Sequence, residues 1–252
     1  MSQDILEIRP PKPDQRVRYG DDPFQFADIR RPKRGGPSQA VMMIHGGFWR
    51  AKYDLEHTGV FCAALTDAGF TTVNLEYRRV GNPGGGWPGT VEDIQSAYKF
   101  FRQDAKEWGF KKIVVMGHSA GGHLALCLAA KEPTLDGAIS LAGVLDLQKA
   151  YDLHLSNDAV VEFMGGTPAQ SADRYREASP FDLRITVPQV VITGSADEVV
   201  PPEFSRRYVA EKRSKGEKVE LVEIAEADHM AMVDPRTKAF PEILKAVKSL
   251  TA

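Results

Sequence analysis

The segment Gly117-His118-Ser119-Ala120-Gly121-Gly122 sets a serine midway between two glycines. A hydroxyl is a weak nucleophile unless a neighbouring base removes its proton as it attacks. The G-x-S-x-G spacing suits a sharp strand-to-helix turn, because the glycines clear space that a Cβ would fill. Such a turn exposes Oγ at a helix N-terminus, where the dipole favours developing negative charge. The pattern also arises by chance, so its surroundings decide. Here the apolar run Lys112–Met116 precedes it, and Leu124, Leu126 and Leu128 follow in helical context.

Acyl transfer through a tetrahedral intermediate also needs donors for an oxyanion. His45-Gly46-Gly47-Phe48-Trp49 follows the apolar run Ala40–Ile44, about 70 residues before the serine. Two consecutive glycines let a loop turn its N–H groups towards one point, and each such donor lowers the barrier by about 3–4 kcal/mol. The expected donors are Gly47 or Phe48 together with Ala120, the residue after the nucleophile. The competing reading is a plain Gly-Gly turn beside a core tryptophan. Trp49, Trp87 and His118 are the candidates for contacting a substrate.

The base is chosen by chain order. A serine at a strand-to-helix turn is followed first by its acid and then by its histidine. Of the six histidines, His45, His57, His118 and His123 flank or precede the motifs, and His154 falls in an irregular stretch. His229 follows the last predicted strand, where a loop above the sheet belongs. The acid should close the strand before it. Asp197, after the run Pro188–Ile192 and a glycine turn, holds that place, with Glu198 as rival; Asp182 and Asp228 end no strand. The acid holds the imidazole in its useful tautomer and stabilises the imidazolium.

The elements that must position these groups alternate. Strands are expected at 40–44, 71–75, 112–116, 138–141, 188–192 and 219–224, with one or two edge strands between Arg18 and Arg31. Amphipathic stretches lie between them, including one from about Glu203 to Lys215 and a last one carrying Phe240, Ile243, Leu244, Val247 and Leu250. Thr90 and Asp93 look like a capping-box start for another. This order implies an α/β fold, a mostly parallel, doubly wound sheet with helices on both faces. Residues 1–16 read as a polar, poorly anchored lead-in, and 17–252 as one domain interrupted by a lid-like insertion at about 146–182.

The totals narrow the function. At 252 residues and net charge −2, nothing suggests nucleic acid or an anionic membrane as partner. The basic stretch Arg30, Arg31, Lys33, Arg34 is broken by Pro32 and reads as a solvated turn. No apolar run is long enough to span a bilayer, and the N-terminus lacks a secretory h-region. Two cysteines, Cys62 and Cys127, in apolar context suit free thiols in a reducing compartment, hence a cytoplasmic protein. Gly84–Gly89 fits G-x-G-x-x-G, but Arg78–Pro83 separate it from its strand and Pro88 removes a donor, which argues against a dinucleotide. No zinc-type spacing occurs, so neither metal nor cofactor is expected. A homodimer is compatible with the sequence.

With these residues placed, the chain resembles the esterase and kynurenine formamidase (arylformamidase) branch of the α/β-hydrolases. The likeness covers about Tyr19 to His229: the H-G-G-x-W loop, the G-H-S-A-G-G turn, Leu75–Arg78, the Gly84–Gly89 loop with Trp87, and Thr193–Asp197. The formamidases often carry Tyr where Phe48 stands. The resemblance implies cofactor-free hydrolysis of a small acyl ester or formamide, with Ser119, Asp197 and His229 catalytic. A non-catalytic small-molecule-binding protein on the same scaffold, and a peptidase or lyase with the same triad, are the alternatives.

Overall fold

The computed structural model describes residues 2–33 and 38–252. Its strands are β1 (Gln15–Arg18), β2 (Phe26–Arg30), β3 (Ser38–Ile44), β4 (Thr71–Leu75), β5 (Phe110–His118), β6 (Gly137–Leu141), β7 (Gln189–Gly194) and β8 (Val219–Ile224). They form one sheet in the order β1-β2-β4-β3-β5-β6-β7-β8. The β1–β2 and β2–β4 pairings are antiparallel; from β4 to β8 the neighbours are parallel. The helices are α1 (Gly59–Asp67), α2 (Gly89–Gln103), α3 (Ala105–Trp108), α4 (Ala120–Lys131), α5 (Leu147–Asp152), α6 (Ala159–Met164), α7 (Ala172–Ala178), α8 (Glu203–Ser214) and α9 (Ala239–Thr251).

The central strands are apolar throughout because both faces are covered. Alternation divides them. Ala40, Met42 and Ile44 of β3 join the core under α2, α4 and α8, whereas Val41 and Met43 join the one under α1 and α9. This is the mostly parallel, doubly wound sheet expected from the strand-helix rhythm, and the α/β-hydrolase arrangement that the resemblance implies. The insertion contains α5, α6 and α7. Among the described residues no helix is long and apolar enough to cross a membrane.

Several local expectations need correction. The lead-in is anchored: residues 2–7 form a 3-10 turn that buries Ile5, and Asp4 pairs with Arg236. Arg30 is not in a solvated turn. It ends β2 and is buried, although Arg31 and Lys33 are exposed; Arg34, Gly35 and Gly36 lie outside the described residues. The capping box does not form either. The helix begins at Gly89, the Thr90 hydroxyl donates to the Arg78 carbonyl, and Asp93 takes the Arg78 guanidinium.

Candidate active site

Ser119 sits between the end of β5 and the start of α4 with φ 56° and ψ −120°, a left-handed conformation that costs free energy for a residue with a Cβ. Its neighbours make that turn possible. A Cβ on Gly117 would fall 2.0 Å from the Gly121 carbonyl oxygen, and one on Gly121 would fall 2.1 Å from that of Ile44. The Ser119 N–H donates to the Leu141 carbonyl at 2.8 Å, fixing the turn to the end of β6. The residue is 2% exposed.

The expected acid and base meet. His229 Nδ1 lies 2.7 Å from Asp197 Oδ2. The other carboxylate oxygen, Oδ1, accepts the backbone N–H groups of Val199 and Val200, both at 2.9 Å. The carboxylate is therefore clamped from both ends, and the imidazole must present Nδ1–H to it, which leaves Nε2 as a lone pair. Glu198 points to solvent and has no part in this arrangement. His229 comes close to the serine turn through His118, whose ring centroid is 4.5 Å from its own. Among the described residues the Ser119 hydroxyl makes no hydrogen bond, so the leg from nucleophile to base is open; catalytic hydrogen bonds often tighten only with substrate bound.

The glycine loop after β3 lies against this turn. A Cβ on Gly46 would be 2.9 Å from the His118 carbonyl oxygen and 3.0 Å from Ser119 Cβ, so only glycine allows the approach. Gly47, Phe48 and Trp49 follow with φ of 108°, 49° and 58°, a run of left-handed residues. Among the described residues the amides of Gly47 and Phe48 have no acceptor, and Ala120, first in α4, has none within its helix.

Of the three candidates for substrate contact, Trp49 and His118 are buried, whereas Trp87 is partly exposed. Trp49 is a core residue, 1% exposed, stacked on Phe163 at 4.6 Å, with Nε1 donating to His123 Nδ1. The Trp87 ring lies 5.6 Å from Lys131 Nζ, on the last residue of α4. His118 is buried with both ring nitrogens engaged, Nδ1 with His57 Nε2 at 2.9 Å and Nε2 with the His229 carbonyl at 3.1 Å.

Two further groups shape the site, and neither could be paired from the sequence. Glu76, at the end of β4, is buried beside His45 Nε2 (3.1 Å) and Arg79 (3.1 Å) and accepts from the Leu55 and Tyr77 amides. Tyr77 stacks on His45 and donates to its carbonyl at 2.8 Å, holding the start of the glycine loop. Burial alone would raise the Glu76 carboxyl, but His45 and Arg79 bring it below its ordinary value. On the other side, Arg50 reaches from the glycine loop to Glu162 of α6 at 2.8 Å, and the Trp87 amide donates to the Phe163 carbonyl. The insertion is thus fastened to the loop. Burial lowers His57 to about 3 and His123 to about 4, and holds His118 well below the ordinary histidine range. Cys62 and Cys127 are free, and burial raises both thiols to about 12. Among the described residues no group of three or more His, Cys, Asp or Glu could hold a metal ion.

Comparison with known proteins gives a family and a fold. The model of the BD-FAE family matches residues 27–211. The chain is 29% identical over 223 residues to esterase LipC of Mycobacterium tuberculosis, covering 79% of this chain and 55% of that protein. It is 24% identical over 230 residues to a kynurenine formamidase of Danio rerio, covering 86% and 75%. The chain thus spans about half of the first relative and three quarters of the second. Among solved structures, a truncated carbohydrate esterase from gut microbiota superposes with a TM-score of 0.82 at 20% identity, covering 97% of this chain and 99% of that one.

Proposed function

The chain belongs to the BD-FAE family, and on that premise we propose that it is a cofactor-free serine hydrolase cleaving a small carboxylic ester or a formamide. The observation that carries this reading is the His229–Asp197 pair, with Asp197 clamped by two backbone amides, beside a serine held in a left-handed turn at the start of α4. His229 Nε2 takes the proton of Ser119 as Oγ bonds to the carbonyl carbon. The oxyanion is held by the Ala120 amide and that of Gly47 or Phe48. The imidazolium gives its proton to the departing alcohol or amine, and water releases the acyl group by the same route.

Two relatives support the substrate class by their names, one an esterase and the other a kynurenine formamidase. A panel of p-nitrophenyl esters of rising chain length, run beside N-formylkynurenine and a feruloyl ester, separates ester from formamide. With Trp49 packed in the core, the case for short acyl groups rests on Phe48 and Trp87. A fluorophosphonate that labels wild type but not Ser119→Ala supports the reading; no labelling of folded wild type favours a binding protein. The cytoplasm is the proposed compartment, because both cysteines are unpaired.

A further inference from the structure

Three imidazoles lie in a row beside the serine turn, and the acyl-transfer cycle uses only the last of them. His57 Nε2 is 2.9 Å from His118 Nδ1, and His118 Nε2 is 3.1 Å from the main-chain oxygen of His229. We propose that His118 is a positioning residue that sets the separation of nucleophile and base by gripping the backbone of residue 229. The inference rests on the reading of Ser119 and His229 as nucleophile and base.

The direction of the chain follows from the acceptors. A carbonyl oxygen can only accept, so His118 Nε2 must carry the proton of that hydrogen bond. His118 is fully buried and kept neutral by burial beside His229 and His57, so its Nδ1 is a lone pair and accepts from His57 Nε2–H. The remaining nitrogen, His57 Nδ1, is buried without a partner. Every donor in the row therefore points towards His229.

The placement gives this chain its leverage. His118 is the last residue of β5 and precedes Ser119, so its backbone is fixed by the sheet. Its ring reaches across to the carbonyl of the base itself, which opens the 3-10 turn Met230–Val233. Asp197 holds the His229 ring from the β7 side, and the His118 bond holds its main chain from the strand that runs into Ser119. The open Ser119 leg does not fix the distance from that ring to Ser119. Among the described residues, the His118 imidazole is the side chain that hydrogen-bonds the His229 main chain. A mere space-filling role would not require a donor at Nε2.

Two kinds of measurement test this. In wild-type protein labelled with ¹⁵N at histidine, two-bond ¹H–¹⁵N correlation should show the Nε2–H tautomer for His118 and for His57. A Nδ1–H tautomer at His118 overturns the proposal. In kinetics, His118→Gln keeps an N–H donor the same number of bonds from Cβ, whereas His118→Leu removes it. His118→Leu should lower kcat for a p-nitrophenyl ester on the order of 10²-fold, with KM within about 2-fold of wild type. His118→Gln should restore most of that loss. Equal losses in the two variants, a loss carried by KM, or unchanged kcat in His118→Leu would each overturn it. Should His118→Leu fail to fold, His57→Leu removes the donor to His118 from a half-buried position, and lower kcat at unchanged KM is again the supporting result; unchanged kcat is the overturning one. Ser119→Ala separates the two levels. If it still turns over, the hydrolase reading itself fails; if it is dead while His118→Leu is fully active, only the positioning role fails.

Discussion

Replacing Asp197 by Asn should damage the enzyme through a proton in the wrong place rather than through lost shape. Asp197 Oδ1 accepts two backbone N–H groups at 2.9 Å, from Val199 and Val200. In the Asn variant those donors demand the amide oxygen, so the amide NH₂ must turn to His229. An NH₂ group facing Nδ1 requires a lone pair there, which moves the imidazole proton to Nε2, the atom that has to accept from Ser119. The variant also loses the charge that stabilises the imidazolium. Unit charges at the 2.7 Å separation of this pair attract by about 6 kcal/mol at an effective dielectric of 20. Comparable substitutions in other triads lower kcat about 10⁴-fold, or about 5 kcal/mol, so the two routes agree. The assay is steady-state hydrolysis of a p-nitrophenyl ester by Asp197→Asn, Asp197→Ala and Glu198→Gln, with thermal melts to confirm folding. Ala leaves the tautomer free and should lose no more turnover than Asn. An Asn variant within 10-fold of wild type, a folded Ala variant far worse than Asn, or a larger loss in Glu198→Gln would each show that Asp197 does not set the His229 tautomer.

Ser119→Ala should lower turnover on the order of 10⁵–10⁶-fold with an unchanged melting temperature, measured by ester hydrolysis and calorimetry. Gly46→Ala places a Cβ 2.9 Å from the His118 carbonyl oxygen and 3.0 Å from Ser119 Cβ, so the glycine loop must shift; kcat should fall on the order of 10²-fold, comparable to losing one oxyanion donor. Arg50→Met frees Glu162, but both partners are partly exposed, so unfolding stability in urea should change by less than about 1 kcal/mol while kcat/KM falls for bulkier acyl groups. His123 stays neutral in the fold down to about pH 4, whereas the unfolded chain binds its proton near 6.5. Its contribution is therefore complete above pH 6.5 and is lost as pH falls towards 4. Urea unfolding at pH 5 should show His123→Phe relieving about 2 kcal/mol of the acid destabilisation relative to pH 7.5.

The sheet was legible because its strands are short, apolar and β-branched between turn residues. Thr71–Leu75 and Val219–Ile224 coincide with the observed strands, and those expected at 40–44, 112–116, 138–141 and 188–192 differ by one or two residues at an end; of the edge strands, β2 falls in the expected stretch from Arg18 to Arg31 and β1 lies almost wholly before it. The residues Asp197 and His229 were legible because chain order leaves few candidates, and the structure brings those two together. Ring orientation was not legible. Trp49 and His118 adjoin the motifs in sequence, yet the left-handed backbone at Phe48 and Trp49 turns the indole into the core, and the end of β5 turns His118 under His229. Trp87 lies within a loop in which Gly85 and Gly89 pack directly on the Arg79 and Gly84 carbonyls, and its indole lies near Lys131. Glu76 joins His45 only after β3 and β4 pair, and a register cannot be read from either strand alone.

The geometry around His229 is a property of the sheet more than of the loop that carries it. Its side chain is held by Asp197, just beyond the end of β7; its main chain is held by His118, at the end of β5. Between them lies β6, and hydrogen bonding continues past the strand ends: the Ser119 amide donates to Leu141, and the Ala142 amide to Ile192. The C-terminal ends of β5, β6 and β7 are therefore one bonded unit that touches Ser119, His229 and Asp197 at once. A change in the loop that leaves those contacts intact should alter stability more than kcat. A change that slides β6 by even part of a residue repeat should do the reverse, because it moves Ser119 and Asp197 relative to each other while the core stays apolar and filled.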